Sequence, residues 1–149
     1  MKLKSKCAAR YAVLLLVITA ALLIGLVILA GSFYQAESFA KNGEFTDNES
    51  RLAYLAEFGW ECEETPLSEE EILLPAEFDE TLNRYNILQR QQGFDLSDYA
   101  GLYVMQYRYR VTNYPGSKNV EATLYLYENL IIGADIHSVE LGGFMHSLK

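Results

Sequence analysis

Residues 102–113 read LYVMQYRYRVTN. Side chains along a strand alternate between two faces. Tyr103, Met105, Tyr107, Tyr109 and Val111 therefore fall on one side, with Gln106, Arg108 and Arg110 on the other. Such alternation, rich in aromatic residues, predicts a half-buried strand. Downstream, Tyr114-Pro115-Gly116-Ser117-Lys118-Asn119 has the chemistry of a hairpin loop. Val120, Ala122, Leu124 and Leu126 then share a face on a returning strand. A tight reversal near Glu128-Asn129 leads into a third strand over residues 130–139, and Gly142-Gly143 opens the C-terminal tail.

Upstream of the meander, Phe78, Leu82, Tyr85 and Leu88 or Gln89 lie on one stripe and predict a helix over residues 76–92, between Pro75 and Gly93. Residues 70–74 (EEILL) predict a short strand, and residues 60–64 another, with Trp60 and Cys62 facing one way and Glu61 and Glu63 the other. Thr46 and Glu49 have capping-box spacing ahead of Leu52, Leu55, Ala56 and Phe58, which predicts a helix over residues 47–58 stopped at Gly59. The predicted fold class is α+β, with two helices packed on one face of an antiparallel sheet.

In front of this domain, residues 11–31 (YAVLLLVITAALLIGLVILAG) contain no charged residue. As a helix they span about 31 Å, the thickness of a bilayer's hydrocarbon core. Lys2, Lys4, Lys6 and Arg10 precede the run, whereas Glu37, Glu44, Asp47 and Glu49 follow it. Positive residues stay in the cytoplasm. The expected organisation is thus a cytoplasmic basic N-terminus (1–10), a single transmembrane helix (11–31), a polar stalk (32–46) and an extracytoplasmic domain (47–149). A cleaved signal peptide is the rival reading. The apolar run exceeds the h-region of such peptides, and the nearest small-residue sites carry Ile28 or Tyr34 at the third position before the cut. Ala21 and Gly25 form a small-x-x-x-small pair within the run, a weak signal of helix contact.

All 20 acidic residues but only 8 of the 12 basic ones lie beyond residue 31, a formal charge of −12 there. Long-range repulsion then argues against nucleic acid, polyanionic polymers and anionic lipid heads as partners. The two cysteines, Cys7 and Cys62, fall on opposite sides of the predicted membrane and cannot pair within the chain.

An ordered series of short motifs carries a family likeness. Gly59-Trp60 and Ile72-Leu73-Leu74-Pro75 come first, then Tyr85-Asn86-Ile87-Leu88-Gln89 with Gln92-Gly93-Phe94-Asp95-Leu96 and Tyr99-Ala100-Gly101. Tyr107-Arg108-Tyr109, Asn113-Tyr114-Pro115 and Ile131-Ile132-Gly133 complete it. The series resembles an uncharacterised family of domains of unknown function found in small membrane-anchored proteins of Gram-positive bacteria. It covers residues 49–148, with Ala134 standing where the pattern has a second glycine. The resemblance implies an anchored, extracytoplasmic domain and supplies no catalytic residues.

Candidate sites are few. Tyr103, Tyr107 and Tyr109, with Arg108 and Arg110 on the reverse, offer a possible surface for a peptide, a glycan or an envelope protein; the alternative is that the tyrosines roof the core. Asp135 and His137 share a strand face, with Glu140 and His146 near in sequence, but their spacing matches no established zinc pattern. The acidic residues Glu61, Glu63, Glu64, Glu69, Glu70 and Glu71 lack the alternation and glycine of a calcium loop. Asp95 and Asp98 read as turn formers. No phosphate loop, nucleophile elbow, Cys-x-x-Cys or His-Glu-x-x-His occurs, so no metal or cofactor is expected and the reading leans away from an enzyme. A membrane-tethered binding module is the expectation. A small envelope hydrolase using His137, or an accessory subunit acting through its transmembrane helix, are the alternatives.

Overall fold

The computed structural model describes residues 43–149. The expected basic N-terminus, the apolar segment 11–31 and most of the 32–46 stalk lie outside the described residues. Among the described residues no helix is long and apolar enough to cross a membrane.

The domain begins earlier than its first helix. Phe45 is buried in the core, and its amide donates to the carbonyl of Asn129 at 2.7 Å. Helix α1 (Asn48–Glu57) follows. Its N-cap is Asp47 rather than Thr46: the Asp47 carboxylate accepts the Ser50 amide at 2.8 Å, satisfying an otherwise orphaned donor. Gly59, at φ +86°, takes the left-handed stop predicted for it. The strand expected over residues 60–64 does not form. Only a single bridge, Cys62 to Val111, pairs there. The reason lies across the sheet. Strand β1 (Ser68–Leu73) occupies the edge of β2 (Tyr103–Arg110) from Arg108 to Tyr103, leaving just its last residues free to pair.

Helix α2 (Glu80–Arg90) starts four residues later than its apolar stripe suggests, because Asp79 caps it by accepting the Leu82 amide. A short 3-10 helix (Leu96–Tyr99) turns the chain into the sheet. Strands β3 (Val120–Tyr127) and β4 (Leu130–Ser138) complete the predicted meander. The loop between them places Glu128 at φ 47° and Asn129 at φ 66°, the left-handed pair that a two-residue hairpin requires. The tail after Gly142-Gly143 returns as β5 (Met145–His146), an unexpected short strand that closes a five-stranded antiparallel sheet in the order β1-β2-β3-β4-β5.

The helices do not share one face of this sheet, as the sequence suggested. Leu55 of α1 packs with Tyr107, Tyr109, Val111 and Leu124. Tyr85 of α2 packs with Val104 and Tyr125, whose strand positions point the opposite way. Each face thus carries its own apolar cluster, and each needs a helix to cover it. A bulge sharpens the division. Tyr125 pairs with Gly133 but Leu126 pairs with Ile131, so Ile132 is the extra residue on β4. Ile131, Ala134 and Ile136 can then all join the α1 side, while Ile132 joins the α2 side. Gly133 lets α2 close on the bulge: a Cβ there would lie 3.0 Å from Leu96 Cδ2 and 3.3 Å from Gln89 Oε1.

Candidate functional site

The α2 side of the sheet is only partly covered. Between α2 and strands β2–β4 lies an open groove of about 830 Å³, within the range of small-ligand sites. Its apolar wall comes from Leu82 and Leu88 of α2, with Met145 at the β5 end. Its floor is polar, built from alternate residues of three neighbouring strands.

Thr123 sits at the centre of that floor, paired across the sheet with Arg108 on one side and Asp135 on the other. Asp135 is buried, yet both of its oxygens are occupied. Tyr85 donates its hydroxyl to Oδ2 at 2.5 Å, and His137 Nδ1 lies 2.8 Å from Oδ1. A buried carboxylate that accepts two donors is compensated for its lost hydration. Burial, then the Asp135 charge, pushes the Tyr85 hydroxyl well above its usual range, so it stays a donor. Gln106 donates to the Tyr125 hydroxyl at 2.9 Å and completes this layer.

A second layer holds charges farther apart. Glu121 Oε2 lies 3.8 Å from His137 Nε2 and 3.7 Å from an Arg108 terminal nitrogen. Both distances exceed a hydrogen bond, and Glu121 Oε2 is buried without any hydrogen-bond partner among the described residues. The other Arg108 terminal nitrogen lies 3.8 Å from Glu70, and Arg108 Nε donates to Ser68 at 2.7 Å. Negative and positive groups therefore alternate from β4 to β1 across the floor.

The Asp135 hydrogen bond raises the His137 pKa above its ordinary 6.5, although burial opposes it; the charges of Asp135 and Glu121 add to the rise and Arg108 subtracts. A pKa raised on folding contributes stability that is fully present below the unfolded value and is lost as pH climbs through the folded one. Replacing His137 with glutamine is expected to lower the melting temperature clearly at about pH 5.5 and hardly at about pH 9. Thermal unfolding at both values checks this, and an equal loss at both would refute the charged role.

The other sequence candidates scatter. Tyr109 is fully buried and Tyr107 nearly so, both on the α1 side of the sheet, while Tyr103 is 61% exposed at the end of β2. Tyr109 accepts from Arg51 Nε and donates to Asn48, and Arg51 lies 3.8 Å over the Tyr107 ring. These two tyrosines belong to the core, and Arg108 enters the groove on the opposite face. Arg110 follows Arg108 in strand parity, opposite Glu121. His146 pairs with Ile136 rather than with His137's side of the sheet, and packs among Trp60, Tyr114 and Phe144. Glu140 accepts from Asn119. Among the described residues no three His, Cys, Asp or Glu side chains are placed to hold a metal ion. Cys62 is half-buried, and burial pushes its thiol up to about 11, so it is protonated and weakly reactive at neutral pH.

Sequence reasoning missed Tyr85, Thr123 and Glu121 as site residues. The spacing of Asp135 and His137, and the alternation that sets Arg108 opposite the tyrosines, signalled part of the floor; the rest comes from other strands and from α2.

The motif around α2 turns out to be scaffold. Asn86 is buried, donating to Asp95 and accepting the Leu96 amide, each at 2.8 Å. Gln89 accepts the Ala134 amide at 2.8 Å, and Gln92 donates to the Ala134 carbonyl at 2.8 Å. Two glutamine side chains thus bond the edge of β4 where no strand pairs with it. Asp95 caps the 3-10 helix through Ser97, and bonds from Ser97, Asn86 and Arg90 hold its carboxyl well below the usual range.

A two-helix, five-strand α+β domain with a polar groove between α2 and the sheet is the class that these features define. The family model described as "Domain of unknown function (DUF4830)" matches residues 54–136, and the chain belongs to that family. No curated protein and no solved structure matches it. The matched span includes the motif series from Gly59 to Gly133, and it is shorter at both ends than the resemblance drawn from the sequence.

Proposed function

We propose that this chain is a single-pass, membrane-anchored binding module of the cell envelope, with its domain outside the cytoplasm and its recognition site in the groove between α2 and the sheet. The groove carries the reading. Packing and pairing account for most of the buried polar groups in the domain, whereas Arg108, Glu121 and His137 sit side by side on the groove floor beyond hydrogen-bond distance of one another. Groups poised in this way beside an apolar wall suit recognition of a partly apolar ligand. The uncharged run 11–31, flanked by basic residues before and acidic ones after, supports the anchor and its orientation. The tethered architecture agrees with the Gram-positive envelope family that the motifs resemble.

The full chain in nanodiscs, screened by NMR against peptide and glycan libraries, tests the site. Saturable shifts clustering at Leu82, Tyr85, Thr123 and His137 are expected; shifts confined to the opposite face would sink it. Protease shaving of cells carrying a C-terminal tag tests the topology, and a protected tag would reverse it. The Asp135–His137 pair favours a second reading, a hydrolase with His137 as general base. Among the described residues the groove offers Thr81 and Thr123 as hydroxyl nucleophiles on aliphatic side chains, and neither bonds to His137.

A further inference from the structure

We propose that the groove takes its ligand by a single carboxylate, gripped by Arg108, with the adjoining apolar group lying against Leu82, Leu88 and Met145. The inference rests on the binding-module reading and adds the chemistry of the ligand.

Arg108 is the anchor. Its Nε bond to Ser68 fixes the guanidinium plane, while neither terminal nitrogen makes a hydrogen bond among the described residues. The side chain is 39% exposed and lines the groove. A held guanidinium with free N–H groups presents the parallel fork that matches a carboxylate. One more donor stands close by, with an imidazole nitrogen beside it. The Thr123 hydroxyl, on the residue paired with Arg108, makes no hydrogen bond among the described residues, and neither does His137 Nε2. Glu121 Oε2 lies 3.7 Å from Arg108 and 3.8 Å from His137 without accepting a hydrogen bond from either.

The surrounding charges limit the ligand to one negative group. Asp135 and Glu121 belong to the floor, Glu70 lies 3.8 Å from Arg108, and Asp79 stands at the rim. A phosphate would bring a second negative charge that Arg108 and His137 cannot both offset against those carboxylates. A polyanion would also meet the acidic domain as a whole. A cationic ligand fits no better, because both Asp135 oxygens are taken and Glu121 Oε2 is closed to solvent. The apolar wall beside Arg108 selects a carboxylate carried by an apolar group. The C-terminal residue of a peptide and a small free acid share that chemistry.

Calorimetry on the full chain in nanodiscs separates these sources. The probes are N-acetyl-alanyl-leucine, its C-terminal amide, 4-methylpentanoate and inorganic phosphate. The free-acid peptide is expected to bind saturably, about tenfold more tightly than its amide, with phosphate failing to compete. Equal binding by 4-methylpentanoate would assign the site to small acids; preference for the peptide would assign it to peptide termini. Arg108→Gln should weaken the acid about tenfold and leave the amide unchanged. Met145 is half-exposed on β5 opposite His137, so Met145→Glu keeps the fold and should weaken the acid at the groove mouth. Equal affinity for acid and amide, competition by phosphate, or no saturable binding of either acid at millimolar concentrations would overturn the inference. Groove shifts produced by ligands without a carboxylate would overturn it too, yet leave the binding-module reading standing.

Discussion

Tyr109→Ala is expected to cost about 3–5 kcal/mol and to lower the melting temperature by about 15 °C or more, enough to leave a domain of this size near its unfolding threshold at 37 °C. Tyr109 is fully buried at the centre of the α1-side core. Truncation there opens a cavity among Leu55, Leu124 and Val111 and removes the hydroxyl that joins two elements. That hydroxyl accepts from Arg51 Nε at 2.9 Å and donates to Asn48 Oδ1 at 3.0 Å. Arg51 is itself buried; its other support among the described residues is a long contact to the Phe45 carbonyl and the Tyr107 ring. Tyr109→Phe separates the two contributions. It keeps the ring and strands the Arg51 donor, for a loss of about 1–3 kcal/mol. Thermal unfolding of the three proteins by circular dichroism measures both. If the alanine variant melts like the parent, Tyr109 is not the core residue described.

Asn86→Ala should have the next largest effect, about 2–3 kcal/mol, although it lies on a helix whose outer face is solvated. The substitution removes almost no apolar area. Its cost comes from the Leu96 amide, a buried donor left with no acceptor once Asn86 Oδ1 is gone. Leu96 is sealed in the α2-side cluster, so water does not replace the lost partner. Arg90→Ala is the control. Its pair with Asp95 lies in solvent, and its removal should change stability little. Urea unfolding of both variants decides the point: similar midpoints would mean that the Asn86 bond is not sealed. The polar side chains Asn86, Gln89 and Gln92 serve backbone donors and acceptors that packing has withdrawn from water.

The readable parts of this protein were those governed by neighbours in sequence. Alternation marked β2 and β3, the left-handed pair Glu128-Asn129 was foreseen as a reversal, and Gly59 was foreseen as a stop. Each depends on the conformational freedom or periodicity of a few adjacent residues. The same local reasoning went astray at residues 60–64, where the alternation is real but β1 takes the edge of β2 up to Arg108 and a single bridge to Val111 is all that forms. It also began α2 too early, since an apolar stripe extends past the Asp79 cap without being helical.

The charge-free run at 11–31, the acidic balance beyond it, the strand meander and the spacing of Asp135 with His137 were determined by the sequence alone. Tertiary structure alone decided that one helix covers each face, because both faces of the central strands carry apolar residues and only packing shows which helix reaches which. It also decided the groove. Tyr85 and Asp135 are 50 residues apart, and Arg108, Glu121 and His137 come from three strands. Their convergence is set by sheet register and by the bulge at Ile132, neither of which is a property of any one segment.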